Sequence, residues 1–166
     1  MEKEKLNDTW VVWYHYDINS WTKDSFRKLI TLDNVQDFWY FVEGIKTLNN
    51  ILIEHIYFIR EGIMPMWEDA RNRNGGCWSI KIDIKDSYVI FVKILMFLVC
   101  ERSLINNDKN ISNEVNGLSL CQKNNYNCIL QIWNSDKKNN KISYLPKEVI
   151  EPFGFEVIWK PHNPEY

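Results

Sequence analysis

The spacing of apolar positions changes period several times along the chain. Residues 9–17 and 25–32 are rich in Trp, Val, Tyr and Ile, which suit a pleated surface, and they read as strands joined by a polar loop over 17–24. Over 34–48 the period becomes helical: Val35, Phe38, Trp39, Val42, Ile45 and Leu48 recur at 3.6-residue spacing, with Asp33 or Asn34 as N-cap. Strands follow at 56–61 and 77–84, around a loop whose Asn74-Gly75-Gly76 supplies a tight turn. A second helix is predicted from Asp86 or Ser87 to about Arg102. It is apolar almost all round, with Lys93 the lone interruption, and so requires burial or a partner along one side. The Asn-rich stretch 103–116 reads as a loop, 117–123 and 127–133 as strands, and 134–141 as a polar loop carrying Lys137, Lys138 and Lys141. Pro146 suits the first turn of a short helix that Pro152 or Gly154 ends, and 155–160 forms a last strand. No internal repeat is present. This order of elements fits an α+β arrangement, an antiparallel sheet with helices on one face.

Length and charge narrow the picture. The 166 residues make one domain, 1–166, in which about residues 1–8 are expected to form a short flexible N-terminus. Eight Trp, eight Tyr and eight Phe exclude a disordered chain. A net charge of −2 and a pI near 5.9 exclude a nucleic-acid binder that relies on a broad basic face, although a reader of one terminal nucleotide needs only a few cations. Cys77, Cys100, Cys121 and Cys128 show no C-x-x-C spacing and read as reduced, mostly buried thiols, so neither a metal nor a cofactor is expected. The charged start Met1-Glu2-Lys3-Glu4-Lys5 has no apolar segment behind it, and the most apolar run, 88–100, is too short to span a bilayer. A cytoplasmic protein without a membrane partner is the expectation. Heavy use of Ile and Asn matches an AT-rich coding genome, such as that of some protists or large DNA viruses.

The densest chemical signal is Gly62-Ile63-Met64-Pro65-Met66-Trp67-Glu68-Asp69, followed by Gly75-Gly76-Cys77-Trp78. Trp67-Glu68 joins a π-face to a carboxylate acceptor. A guanine ring needs that pair: a surface for stacking and an acceptor for its N1–H and exocyclic amine. N7-methylation makes the base cationic and adds a cation–π attraction to tryptophan. Catalysis is not expected. His15, His55 and His162 have no nucleophile motif nearby, there is no P-loop, H-E-x-x-H or G-x-S-x-G, and Glu68 and Asp69 point opposite ways on an extended segment.

Four further segments complete a pattern: Thr9-Trp10-Val11-Val12-Trp13-Tyr14, the isolated Trp21, Val35-Gln36-Asp37-Phe38-Trp39, and Asn116-Gly117 leading to Gln131-Ile132-Trp133. In order and spacing the chain resembles the eukaryotic translation initiation factor 4E family, readers of the 7-methylguanosine cap of messenger RNA, over roughly residues 9–162. The resemblance implies a strongly curved antiparallel sheet, helices on its convex face and a cap-binding slot on the concave side. It implies that Trp21 and Trp67 sandwich the methylated base, that Glu68 holds its Watson–Crick edge and that Trp133 packs against the N7-methyl group. Lys123 would meet the triphosphate. On the back, Val35, Trp39, Val92 and Met96 match the patch that takes helical Tyr-x4-Leu-hydrophobic motifs of scaffold factors and inhibitory binding proteins. Read without the resemblance, Trp21 is better taken as a loop anchor over the sheet edge, and Trp39 as a core residue.

The sequence also departs from the family pattern. Lys123 stands where an arginine is usual, so a bidentate fork becomes a point charge. Ile129 occupies a position that is often lysine and is apolar in the repressor-type homologous branch, and Cys77 replaces a commonly basic residue. Lys137, Lys138 or Lys160 could supply the missing cations. On the back, Glu4-Lys5-Leu6 replaces a His-Pro-Leu entry, Lys93 replaces an acidic residue and Cys100 a glycine, which implies altered partners. The sequence ends at Tyr166, so the long C-terminal loop of typical members is expected to be missing. Three functions remain open: recruitment of capped messenger RNA to translation, cap-binding repression, and a protein-interaction module that no longer binds cap.

Overall fold

The computed structural model describes residues 3–47, 55–100, 115–145, 147–151, 154 and 156–164. Seven strands form one curved antiparallel sheet: β1 (Lys5–His15), β2 (Phe26–Asn34), β3 (Ile56–Arg60), β4 (Gly76–Asp83), β5 (Val115–Gln122), β6 (Asn127–Asn134) and β7 (Val157–Pro161). Their order across the sheet is β2-β1-β3-β5-β6-β4-β7. Among the described residues two long helices, α1 (Val35–Thr47) and α2 (Ser87–Val99), and the short α3 (Lys147–Ile150) accompany the sheet. The expected α+β class and curved sheet are what the chain forms.

Period-2 alternation divides each strand between two cores. Trp10, Val12, Phe58, Trp78, Ile80, Ile82, Leu118, Leu120, Leu130 and Ile132 face the helices and pack with Phe38 and Val42 of α1 and with Ile90, Phe91, Ile94, Leu95 and Leu98 of α2. The other face carries a smaller cluster of Phe26, Tyr57, Ile59, Ile63, Cys77 and Trp133, with Trp13, Met64 and Met66 against it. On β3 the change of face is residue by residue, with Phe58 toward the helices and its neighbours Tyr57 and Ile59 away from them.

Local chemistry sets the helix ends. Asn34 caps α1: its Oδ1 accepts from the Asp37 backbone N–H at 2.9 Å, while its Nδ2 donates back to the Asp37 carboxylate at 2.7 Å. Lys3 donates to the same carboxylate at 2.8 Å and, together with Asn34, holds its pKa below the usual value. At the start of α2 the Ser87 hydroxyl donates to the Ile84 carbonyl at 2.6 Å. The helix stops at Val99, short of the expected Arg102, because Cys100 turns to an extended conformation. There Asn7 Nδ2 donates to the Leu98 carbonyl at 3.1 Å, one of the groups a helix C-terminus leaves unpaired.

Other boundaries move for equally local reasons. β1 begins at Lys5, inside the stretch expected to be flexible, because Lys5 pairs with Asn34 across β2 and its ammonium meets Asp33. β5 begins at Val115 and ends at Gln122, so Asn116 belongs to the sheet and Lys123 to the following turn. The rest of the predicted Asn-rich loop, Leu48 of the predicted helix face and Pro146 lie outside the described residues.

Candidate functional site

Loops from both halves of the sheet converge over its concave face and enclose a cavity of about 740 Å³. Its walls bring together all five residues that the sequence pattern assigned to one site: Trp21, Trp67, Glu68, Lys123 and Trp133. His55, Tyr57, Ser119, Cys121, Ile129, Gln131 and Asn163 also line it.

The two loop tryptophans are held in the same manner. Trp21 keeps 56% of its surface exposed, yet one face lies on the buried His15 ring, with centroids 4.2 Å apart and planes 22° from parallel. Trp67 is 41% exposed and lies on the buried His162 ring at 5.5 Å and 15°. Each indole therefore has an imidazole behind it and an open side. His15 is itself fixed, because its Nε2–H faces the Ser20 carbonyl at 2.8 Å and Ser25 Oγ at 3.1 Å. His162 donates from Nδ1 to the Asn72 carbonyl at 2.8 Å and packs against Trp133 at 4.8 Å. Burial pushes the His162 pKa down, so the ring is neutral near pH 7.

The two adjacent carboxylates have different surroundings. Asp69 accepts from the backbone N–H groups of Met64 and Arg71, each at 2.9 Å, and so braces its own loop. Asn72, fully buried, donates to the Met64 and Met66 carbonyls at 2.9 Å, and Asn116 of β5 donates to Asn72 Oδ1 and the Arg71 carbonyl at 2.8 Å. The loop is thereby tied to the sheet beside Gly117. That glycine has φ +154°, and any side chain on it would collide with the Phe58 carbonyl. Glu68, half-buried on the cavity wall, makes no hydrogen bond or ion pair among the described residues. One carboxylate builds the loop, and the other is available to a ligand.

A polar chain forms the floor. Trp133, 3% exposed, donates from Nε1 to Ser119 Oγ at 2.9 Å, and Ser119 donates to Gln131 Oε1 at 3.2 Å. Gln131 Nε2 in turn reaches Ser79 Oγ at 3.2 Å and Cys77 Sγ at 3.3 Å. Cys77 is thus a buried member of this floor, with its thiol pKa raised by burial. Cys121 and Ile129 pair across β5 and β6 on the cavity wall, with Lys123 in the turn beyond them and His55 close enough to feel its charge. Lys123 is exposed in the β5–β6 turn, where its backbone N–H is fixed to the Asn127 carbonyl at 2.9 Å. Lys137, Lys138 and Lys160 are also exposed, but none of them lines the cavity.

On the opposite face, Trp39 is 44% and Met96 39% exposed, with Val35 and Val92 partly covered. Trp39 therefore projects from α1 and is not a core residue, while its neighbour Phe38 fills the core. Lys93 donates to the Glu148 carbonyl of α3 at 2.8 Å. Sequence reasoning missed His15, His55, His162, Asn72 and Gln131. Only Gln131 had a legible signal, standing two residues before Trp133 and hence on the same sheet face. No helix of the described residues is long and apolar enough to cross a membrane.

The sequence model of eukaryotic initiation factor 4E matches residues 5–163. Among curated proteins, initiation factor 4E of Candida albicans is 28% identical over 145 residues, covering 84% of this chain and 68% of the yeast protein. The human factor is 34% identical over 83 residues, covering 49% of this chain and 38% of the human protein. Measured against these relatives, the matched part spans from two thirds of their length to well under half. A schistosome initiation factor 4E, crystallised with m7GpppG and 4E-BP, superposes with a TM-score of 0.81 at 20% identity, over 97% of this chain and 90% of that one. Caenorhabditis elegans factor 4E-3, complexed with the 4E-binding protein Mextli and cap analog, gives 0.80 at 21%, over 97% and 94%.

Proposed function

Because the chain belongs to the eukaryotic initiation factor 4E family, we propose that its concave cavity takes the 7-methylguanosine 5′ cap of messenger RNA and that the protein recruits capped messages to translation. One observation carries this reading. Two exposed indoles, each backed by an imidazole, open onto one cavity with a carboxylate that makes no hydrogen bond among the described residues and a buried third indole.

The chemistry follows from those groups. A flat cationic base entering between Trp21 and Trp67 gains stacking and cation–π attraction on both faces, worth about 1–3 kcal/mol per ring. Glu68 accepts from N1–H and the exocyclic amine. Because it gives up no internal partner to do so, the charge-assisted pair contributes about 1–3 kcal/mol. Trp133, fixed through Ser119, offers an apolar edge to the N7-methyl group. Lys123 supplies one cation for the phosphates. None of these steps makes or breaks a covalent bond, so the role is binding and not catalysis.

Val35, Trp39, Val92 and Met96 form the second proposed surface, an apolar strip on the helices suited to an amphipathic Tyr-x4-Leu-hydrophobic helix of a scaffold or inhibitory protein. The tie between Lys93 and α3 places a cation beside that strip, in keeping with altered partners. Cap-binding repression is the second reading, favoured by Ile129 on the cavity wall. Retention on immobilised 7-methyl-GTP, with release by 7-methyl-GTP but not by GTP, tests cap recognition. Co-retention of a scaffold factor indicates recruitment, and its displacement indicates repression. A protein that passes through the resin is neither.

A further inference from the structure

The phosphate end of the cavity has an unexpected composition. Lys123 is the only lysine or arginine on the wall among the described residues, and the groups beside it are His55, Cys121 and Ile129. His55 immediately precedes β3 and sits against His15 of β1, with the two Nδ1 atoms 3.4 Å apart. Its ring also meets Trp21 edge-on at 5.7 Å. We infer that His55 is a second cation of the phosphate site, one that becomes charged only as the triphosphate arrives, so that cap binding takes up a proton. This inference rests on the cap-binding reading and concerns the same cavity.

Hydrogen bonding fixes where the proton goes. A carbonyl oxygen can only accept, so the contact with Ser20 O places a hydrogen on His15 Nε2. The Ser25 hydroxyl donates to the Thr22 carbonyl at 2.7 Å and therefore also accepts from that same Nε2–H. Neutral His15 is left with a bare Nδ1, which accepts from Nδ1–H of His55. The remaining His55 nitrogen, Nε2, is then unprotonated. In the empty cavity it stays so: burial, His15 and Lys123 together hold the His55 pKa down to about 4. The charged and titratable groups around it are His15 on β1, Tyr57 on its own strand, Cys121 and Lys123 on β5 and its turn, and Glu68 on the facing loop. A triphosphate adds several negative charges among these groups. It offsets the repulsion from Lys123 and favours the charged ring, which then donates from Nε2. Burial still disfavours the charge, and the negative charges of the triphosphate offset that penalty.

Calorimetric titration of the protein with the cap dinucleotide m7GpppG tests this. All phosphates of that ligand are bridging, which removes the terminal phosphate that itself titrates near pH ~6. Fluorescence is unsuitable, since His15 lies on Trp21. Between about pH 7 and about pH 5.5 affinity should rise roughly five- to tenfold, within the limit of about tenfold per pH unit for one proton. Repeating the titration in buffers of different ionisation enthalpy should show proton uptake. His55→Asn, whose amide can keep the bond to His15 Nδ1, should lose both the pH slope and the His55-linked uptake. In the wild-type protein, the His55 ring resonances should titrate at higher pH with ligand than without, which reads the same event should the variant not fold. A flat wild-type profile, an equal slope in His55→Asn, or an unmoved His55 titration overturns the inference and leaves cap recognition standing. Failure to bind m7GpppG at every pH overturns both.

Discussion

Trp10 and Trp78, on the helix-covered face of the sheet, have no exposed surface, whereas Trp21 and Trp67, above the other face, leave 56% and 41% in solvent. The surroundings differ as much as the exposure. Trp10 stacks on Phe58 at 5.1 Å within the larger hydrophobic cluster, with the Arg60 guanidinium 4.6 Å over its ring, and Trp78 meets Trp159 at 4.9 Å. Trp21 and Trp67 lie on histidines that are each tied through one ring nitrogen to a backbone carbonyl. A ring packed among apolar groups contributes to folding. A ring braced by a polar, hydrogen-bonded partner on one face and left open on the other is oriented with most of its stacking capacity unused. The same residue type is thus expected to serve stability on one side of the sheet and the proposed cap binding on the other, and substitutions should separate the two.

The largest separation is expected between Trp78→Ala and Trp67→Ala. Loss of the sealed Trp78 should cost about 3–5 kcal/mol of stability, measured by denaturant unfolding. Trp67→Ala and Trp21→Ala should each cost about 1–3 kcal/mol of cap affinity and change the unfolding midpoint little. A Trp67 variant that unfolds as readily as the Trp78 variant breaks the distinction between the faces. Glu68→Ala sharpens it, because its neighbour Asp69 has the opposite role. Glu68→Ala should lose about 1–3 kcal/mol of cap affinity at constant stability, and Asp69→Ala should lower the melting temperature by removing two acceptor bonds worth about 0.5–1.5 kcal/mol each.

Smaller effects follow. In the free protein the folded-state pKa of His55 is depressed below the ordinary 6.5, so the unfolded chain binds more protons. Stability should be full above about pH 6.5 and decline as the pH falls toward about 4, by about 1 kcal/mol once solvent screening of this partly exposed ring is allowed for. Melting temperature against pH, compared with His55→Asn, reads it. Lys123→Ala should reduce the slope of log affinity against log salt by about one unit at most. Least is expected on the back. Trp39→Ala should impair capture of a helical motif peptide while leaving cap affinity intact. Lys93→Glu should shift preference between acidic and basic peptide variants by about 1 kcal/mol or less, as for an exposed pair.

Periodicity made the helices and most strands legible, because α1 and the strands each turn one regular stripe toward a core. Trp21, Trp67, Glu68 and Trp133 were singled out through the family resemblance, and one cavity is lined by all four. The braces were not legible. His15 meets His55 only because β1 and β3 pair in a register that sets the His15 N–H on the His55 carbonyl at 3.0 Å. His162 reaches Asn72 across 90 residues of sequence, through the β4–β7 pairing. A local reading sees three isolated histidines with no motif, since the contacts that give them a role are set by strand order. The same holds for Cys77: the sequence marks the loss of a basic residue, and only the sheet register shows a thiol under Gln131. The limits of β1 and α2 were missed because they depend on Lys5, Asn7 and their partners on other elements.

The central claim is that the open sides of Trp21 and Trp67 receive a cationic guanine. Titration of intrinsic tryptophan fluorescence at constant pH with 7-methyl-GTP and with GTP addresses it directly, because the two ligands differ by one methyl group and the positive charge it confers. Strong quenching by 7-methyl-GTP, much weaker quenching by GTP, and loss of that preference in Trp67→Ala are the predicted result. Equal affinity for the two nucleotides, or a preference that survives in Trp67→Ala, would contradict the account.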